Sequence, residues 1–250
     1  MADRFSLAGR TALITGGSRG LGRAMALAFA EAGADVAIVS RKLDACEATV
    51  REIEAKGRRG YAQACHIARW DEIEPMASAV WDHFGKVDIL VNNAGMSPLY
   101  PSLGEVTERN FDSVIGVNFK GPFRLTSLIG ERMHAGAGGA VINISSIAAR
   151  TAMGSNIMYC ASKAALDNMT QSLARALAPA VRVISVSPGL VDTEFVKSLD
   201  PAWRDSQAAR TPLGRLARPG EVAAAVVAAV RDLTFTTGCV LSVDGGRPLS

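Results

Sequence analysis

Thr11-Ala12-Leu13-Ile14-Thr15-Gly16-Gly17-Ser18-Arg19-Gly20-Leu21-Gly22 decides how this chain folds. A short apolar and β-branched run enters a turn carrying Gly16, Gly17, Gly20 and Gly22. Beyond it, Leu21, Met25, Ala28 and Phe29 recur with the 3.6-residue period of a helix. Strand, glycine turn and helix make the first half of a βαβ unit. Glycine admits positive φ and lets backbone N–H groups approach an anion closely, and a helix N-terminus adds dipole and free donors. The turn therefore reads as a phosphate-binding loop. Its GxxxGxG spacing differs from the GxGxxG fingerprint.

The same alternation continues outward. Strands are expected at Thr11–Thr15, Asp35–Ser40, 61–65, 88–91, 140–145, 181–187 and 239–243. Between them, Cys46, Val50 and Ile53 form one helical stripe, and Ile73, Ala77, Val80 and Phe84 form another. Gly33, Gly57 and Gly85 stand where helix-terminating glycines belong. The strand runs are apolar throughout rather than alternating, which suits a parallel sheet covered on both faces. The expectation is an α/β Rossmann fold, a doubly wound seven-stranded parallel sheet flanked by helices. Residues 194–219 break the rhythm, lacking a strand and holding Pro201, Pro212 and Pro219. They read as a long irregular substrate loop.

Composition narrows the field. The 250 residues carry 27 Lys+Arg against 24 Asp+Glu, a net charge of +3, with 48% hydrophobic residues. That is an ordinary globular composition, and it excludes disorder, collagen and disulfide scaffolds. No run of five or six basic residues suggests nucleic acid. Cys46, Cys65, Cys160 and Cys239 form no CxxC pair, so no metal site or disulfide framework is expected. The N-terminal Met1-Ala2-Asp3-Arg4-Phe5 lacks the pattern of a signal peptide. The longest apolar stretch, 222–230, is too short to span a bilayer. A cytoplasmic, soluble protein is expected, with residues 1–250 forming a single dinucleotide-binding and catalytic domain.

Further motifs follow in order: Asn92-Asn93-Ala94-Gly95, Asn118, Ser145-Ser146, Tyr159-Cys160-Ala161-Ser162-Lys163, Ser187-Pro188-Gly189 with Thr193, and Val243-Asp244-Gly245-Gly246. With the glycine turn they span nearly the whole chain, and together they resemble the short-chain dehydrogenase/reductase family. The resemblance implies a dinucleotide held by Gly16, Ser18, Arg19, Gly20, Leu21 and Gly22, and by Asn93, Ala94 and Gly95. Toward the nicotinamide end it implies Tyr159, Lys163, Pro188, Gly189, Val191 and Thr193. His66 stands where the family usually has Asp, followed by Ile67. A contact with adenine and a plain solvent-facing strand end are both open for His66.

In Rossmann units that bind NAD, an acidic residue at the end of the second strand takes the ribose 2′-OH, whereas an Arg accommodates a 2′-phosphate. Here that strand ends Ile38-Val39-Ser40-Arg41-Lys42, without an acid. Family geometry brings Arg19 near the same ribose, so Ser40, Arg41 and Arg19 point to NADP(H) over NAD(H).

Hydride transfer to a ketone leaves charge on oxygen, so a site needs a proton donor and a polarising group. Tyr159 and Lys163, at i and i+4, share a helix face, where a cation favours phenolate and draws the phenol pKa toward neutrality. Ser145 and Ser146 alternate in direction along a strand, so one of them can serve. By resemblance it is Ser146, thirteen residues before Tyr159. Resemblance also makes Tyr159 the general acid in reduction, makes Lys163 the holder of the ribose hydroxyls, and makes Asn118 the anchor of a proton-relaying water.

The substrate walls implied are Met96, Pro98, Leu99 and Tyr100, then Met153, Asn156 and Ile157, then Phe195, Leu199 and Trp203. This mainly apolar lining suits a small carbonyl compound or sugar-type substrate. A 3-oxoacyl-(acyl-carrier-protein) reductase is the alternative, and a non-catalytic NADP(H)-sensing protein is a more distant one. His66, His83 and His134 are isolated, and neither HExxH nor GxSxG occurs. The resemblance implies a homotetramer, with a dimer second, and no nucleic-acid or membrane partner. Replacing Arg41→Ala is expected to move the ratio of kcat/KM for NADPH over NADH toward NADH by roughly tenfold. An unchanged ratio would sink the NADP(H) assignment.

Overall fold

Successive side chains of a strand point to opposite faces, so strands that are apolar at every position need cover on both sides. The computed structural model describes residues 6–152 and 156–249 and meets that need. Strands β1 Thr11–Thr15, β2 Asp35–Ser40, β3 Gly60–Ala64, β4 Ile89–Asn92, β5 Gly139–Ile144, β6 Val181–Pro188 and β7 Val240–Val243 form one sheet. Its order is β3-β2-β1-β4-β5-β6-β7. All neighbours are parallel. Several bounds differ by a residue from those read in the sequence, because the ladders begin at Gly60 and Gly139 and run on through Asn92 and Pro188.

Helices α1 Gly20–Glu31, α2 Leu43–Glu54 and α3 Trp70–Phe84 alternate with the first four strands. Next come α4 Glu108–Ile115, a π-helical turn Gly116–Lys120 and α5 Gly121–Ala135, followed by α6 Ala148–Thr151 and α7 Ile157–Ala176. The chain closes with α8 Glu194–Lys197, α9 Pro201–Ala209 and α10 Pro219–Arg231. Ala12, Ile14, Val36 and Ile38 pack on one face with Met25, Phe29, Ile53 and Val226 of α1, α2 and α10. Leu13, Ala37, Val39 and Val141 pack on the other with Ile73, Val80, Leu125, Ile129 and Leu177, from α3, α5 and the end of α7. No helix among the described residues is long and apolar enough to cross a membrane.

The segment 194–219 departs from its reading as irregular loop. It holds α8 and α9, and Val191 bridges Ala217 at its base. Pro201 opens α9, while Asp200 caps it by accepting from the Ala202 and Trp203 N–H groups at 3.2 and 3.3 Å. Proline breaks a helix interior but suits the first helical position, so Asp200-Pro201 is a start signal rather than a breaker.

The strand order reverses between β1 and β4, which opens a crevice at their carboxyl ends. The far ends of the same strands are tied by Asp88. Its buried carboxylate accepts from the Thr11 N–H at 2.8 Å and pairs with Arg10 and Lys86 at 3.1 Å each. Asp88→Ala leaves the buried Thr11 N–H unpaired, so it is expected to lower unfolding stability by about 2 kcal/mol. Urea denaturation measures this, and a loss below about 0.5 kcal/mol would contradict it.

Candidate active site

The glycine turn shapes the crevice floor. Gly16 has φ +65°, and a Cβ at Gly22 would collide with the Gly16 carbonyl oxygen. Asn93 Nδ2 donates to Thr15 O at 2.9 Å and to Gly16 O at 3.2 Å. Thr15 Oγ1 accepts from the Asn93 and Ala94 N–H groups at 3.0 and 3.1 Å. The paired asparagines thus divide their work: Asn93 holds the turn, while Asn92 enters a buried network. Asn92 Nδ2 donates to Thr126 Oγ1 and to Asn143 Oδ1, and Asn143 in turn donates to Thr170 Oγ1, all within 2.8 to 2.9 Å. Thr170 lies 3.0 Å from Ser185 Oγ.

Helix α1 begins beside this turn with no side-chain cap and no acid in its first turn. Its leading N–H groups and its positive dipole end are open to an anion. Arg19 and Arg41 are exposed, and neither guanidinium has an acidic partner among the described residues. Ser40 Oγ lies 3.0 Å from Cys46 Sγ, a buried thiol whose pKa burial pushes up. His66 Nδ1 accepts from the Ala68 N–H at 3.3 Å, so the imidazole caps its own turn as a carboxylate there would. The His66 N–H donates to Glu72 at 2.7 Å.

At the carboxyl ends of β5 and β6 a cavity of about 350 Å³ is lined by Leu21, Asn93, Gly95, Met96, Ser146, Tyr159, Lys163, Pro188, Gly189, Val191 and Thr193, among others. Residues that the sequence spreads over 170 positions therefore meet at one crevice. Gly189 N–H donates to Val243 O at 3.1 Å, which ties this wall to β7. Of the expected substrate walls, Met96 lines the cavity, and Leu99 and Ile157 lie exposed. Trp203 lies exposed on α9. Met153 and the Phe195 side chain lie outside the described residues.

Tyr159 and Lys163 sit one turn apart on α7, whose start is doubly capped. Asn156 Oδ1 accepts from the Tyr159 N–H at 2.6 Å, and Tyr100 Oη accepts from the Ile157 N–H at 3.1 Å. Asn156 Nδ2 also donates to Pro98 O at 2.7 Å, which joins the 96–100 segment to Tyr159's helix. Ser146 and Tyr159 line the same cavity, where the Ser146 hydroxyl favours the ionised phenol. Ser145 lines the cavity too, its buried hydroxyl without a partner among the described residues.

Two expectations need correction. The Tyr159 phenol is not drawn toward neutrality. Burial holds it above its ordinary value, and the nearby Ser146 hydroxyl offsets only part of that effect. Lys163 does not supply the expected pull: its Nζ donates to Ile144 O at 2.7 Å and stands 5.8 Å from the Tyr159 ring centre. Burial also lowers Lys163 itself to about 8. The second correction concerns Asn118, whose side chain is fully used. Its Oδ1 accepts from the Met96 N–H at 2.9 Å, and its Nδ2 donates to Met96 O and Ser162 Oγ at 3.0 Å. The side chain is thus a strut between the Met96 backbone and α7.

The sequence reading gave no role to Thr15 or to Ser162, whose hydroxyl donates to Tyr159 O at 2.8 Å, and took Asn156 as a substrate wall where it caps α7. Position gave one signal, since Thr15 and Ser162 lie within the quoted motifs. Burial supplied the rest, and burial is invisible in a single sequence.

The chain is similar to known proteins along nearly its whole length. A family model described as enoyl-(acyl carrier protein) reductase matches residues 16–247. The chain is 36% identical over 247 residues to D-threitol dehydrogenase of Mycolicibacterium smegmatis, covering 97% of this chain and 94% of that protein. It is 35% identical over 240 residues to 3-oxoacyl-(acyl-carrier-protein) reductase FabG of Staphylococcus epidermidis, covering 95% and 98%. The crystal structure of a short-chain type dehydrogenase/reductase from Mycobacterium marinum superposes with a TM-score of 0.91 at 33% identity, covering 98% of each chain.

The buried Lys163 has a measurable cost. It holds its proton to about 8 in the fold, against 10.5 as its ordinary value. Between those values the unfolded chain binds more protons, so this group's contribution to stability rises with pH. Wild type is expected to gain roughly 2 kcal/mol on Lys163→Met from about pH 7.5 to 9.5 by urea denaturation. A difference constant with pH would show that no charged ammonium is buried there.

Proposed function

The chain belongs to the short-chain dehydrogenase/reductase family, and on that premise we propose that it interconverts a carbonyl compound and a secondary alcohol with NADP(H). The observation that carries this reading is the convergence of Ser146, Tyr159 and Lys163 on a cavity continuous with the glycine turn. The uncapped α1 N-terminus, the collision a Cβ would meet at Gly22 and the two free arginines fit a dinucleotide phosphate. Gly16, Ser18, Gly20, Leu21 and Gly22 would hold its pyrophosphate; Arg19, Ser40 and Arg41 its 2′-phosphate; His66 and Ile67 its adenine edge; and Asn93, Ala94 and Gly95 its ribose side. Pro188, Gly189, Val191 and Thr193 would hold the nicotinamide end. When bound, this group supplies or accepts the hydride.

The chain's own residues handle the proton. A phenol held above its ordinary pKa keeps its proton at neutral pH, so Tyr159 is ready to donate to a carbonyl oxygen as charge develops. Ser146, on the same cavity wall as Tyr159, orients that same oxygen and stabilises the charge. Lys163 holds ribose hydroxyls with the ammonium donors left over from Ile144 O. Asn118 anchors a water that returns the proton, with its side chain also serving as the strut between Met96 and α7.

A sugar-type or small ketone substrate is favoured. D-threitol dehydrogenase is a relative, and the cations near the cavity mouth are already paired, Arg204 with Asp192 at 2.7 Å and Arg150 with Ser242 at 2.7 Å. An acidic carrier protein would need free cations there. The second reading, a 3-oxoacyl-(acyl-carrier-protein) reductase, is favoured by the similarity to the Staphylococcus epidermidis enzyme. We further propose residues 1–250 as one catalytic unit in the cytoplasm, whose reducing conditions suit four free cysteines. Exposed Trp70, Phe111 and Phe123 suit assembly into a homotetramer, or second a dimer.

Turnover of keto-sugars against an acetoacetyl thioester, followed by loss of NADPH absorbance, separates the two substrate readings. Tyr159→Phe is expected to cut kcat on the order of 1,000-fold with NADPH affinity nearly unchanged. Retained turnover would remove Tyr159 from its role.

A further inference from the structure

Helix α7 carries a third polar group on the face that presents Tyr159 and Lys163. Asp167 follows Lys163 by one turn, and the spacing brings their Cβ atoms to about 5–6 Å. Its side chain is 9% exposed, and neither carboxylate oxygen has a hydrogen-bond partner among the described residues. A buried carboxylate is costly unless something compensates its charge. Lys163, at 4% exposed, has the complementary problem. One donor goes to Ile144 O, and no acidic group is within ion-pair distance of Nζ among the described residues.

The charged groups of the elements packed on α7 do not answer either need. Glu108, Arg109 and Asp112 of α4 and Lys120 of the π-helical turn lie exposed. Arg150 of α6 is spent on Ser242, and Arg182 of β6 donates to the carbonyls of Ala229, Val230, Leu233 and Thr236. β5 carries no charged residue. On α7 itself, Tyr159 and Cys160 are the nearby titratable groups, and Arg175 lies exposed two turns beyond Asp167.

We propose that Asp167 is a positioning residue for Lys163: its buried, unbonded carboxylate is the counter-charge that keeps Lys163 an ammonium aimed at Ile144 O and at Gly95 on the cavity floor. The two charges are each other's compensation, acting through about one helical turn rather than through contact. Lys163 Nζ lies close to Gly95, where an ideal Cβ would stand 3.7 Å from it. Burial draws the ammonium down to about 8, and Asp167 is the one charged group that pulls it back up. The inference rests on Lys163 as the residue that holds the ribose hydroxyls, and it adds what keeps that residue charged.

The test reads Lys163 directly, without cofactor or turnover. Trace acetic anhydride labels free amines, and peptide mass spectrometry reports acetylation at Lys163 from about pH 6 to 10 in wild type, Asp167→Asn and Asp167→Glu. Removing the negative charge favours the neutral amine, so the Asn variant is expected to reach half-labelling about one pH unit lower, a tenfold rise in free amine at a given pH below the midpoint. Glu is expected to restore most of the wild-type curve. Should the Asn chain fail to fold by circular dichroism, Asp167→Ser replaces it with the same expected shift. Coincident curves for the wild type and a folded Asn or Ser variant would overturn the proposal. A wild type that turns over no carbonyl with either nucleotide would defeat the functional reading, while the labelling curves still decide the role of Asp167.

Discussion

One amide holds the nucleotide crevice open. Asn93 Nδ2 takes the carbonyl oxygens of Thr15 and Gly16 together, at the point where the order of the sheet reverses. Those two oxygens would otherwise point into the space between β1 and β4, and unpaired buried carbonyls are costly. Once they are turned aside, the turn can tighten until Gly22 lies against Gly16 with no room for a Cβ. The N–H groups of α1 are then left facing the crevice. The position of the cavity, and hence of Tyr159 and Lys163 across from it, follows from this clasp.

A second constraint acts from the other side. Lys163 lies deep in the cavity wall, and burial works against any cation. The fold places Lys163 on α7 with a single carbonyl acceptor, so its charge is held at a cost in stability. The same burial keeps the Tyr159 phenol protonated. A dry site therefore favours the neutral acid at Tyr159 and strains the cation beside it. The two groups feel one environment with opposite consequences.

The order of elements was legible because it rests on periodicity. Apolar strands, amphipathic helices and the glycine turn each leave a pattern along the chain, and the seven-stranded parallel sheet follows from them. The Ser146, Tyr159 and Lys163 positions were legible through the spacing of motifs. Other features were not. Asp200-Pro201 looked like loop chemistry because proline carries opposite meanings at a helix start and within one. The direction of the Tyr159 pKa was misjudged because i, i+4 spacing shows that two groups are close, not how dry they are. The Asn92–Asn143–Thr170–Ser185 network crosses three strands and a helix, so no local window contains it.

The π-helical turn at Gly116–Lys120 bears on how this chain can change over time. A π turn holds one residue more than an α-helical path of the same rise, so it behaves as an insertion kept within a continuous helix. Losing one residue there would restore ordinary winding between α4 and α5 and remove the widened turn that holds Asn118 against Ser162 and Met96. Substitutions in this stretch are thus far better tolerated than deletions, and chain length there is under tighter constraint than side-chain identity.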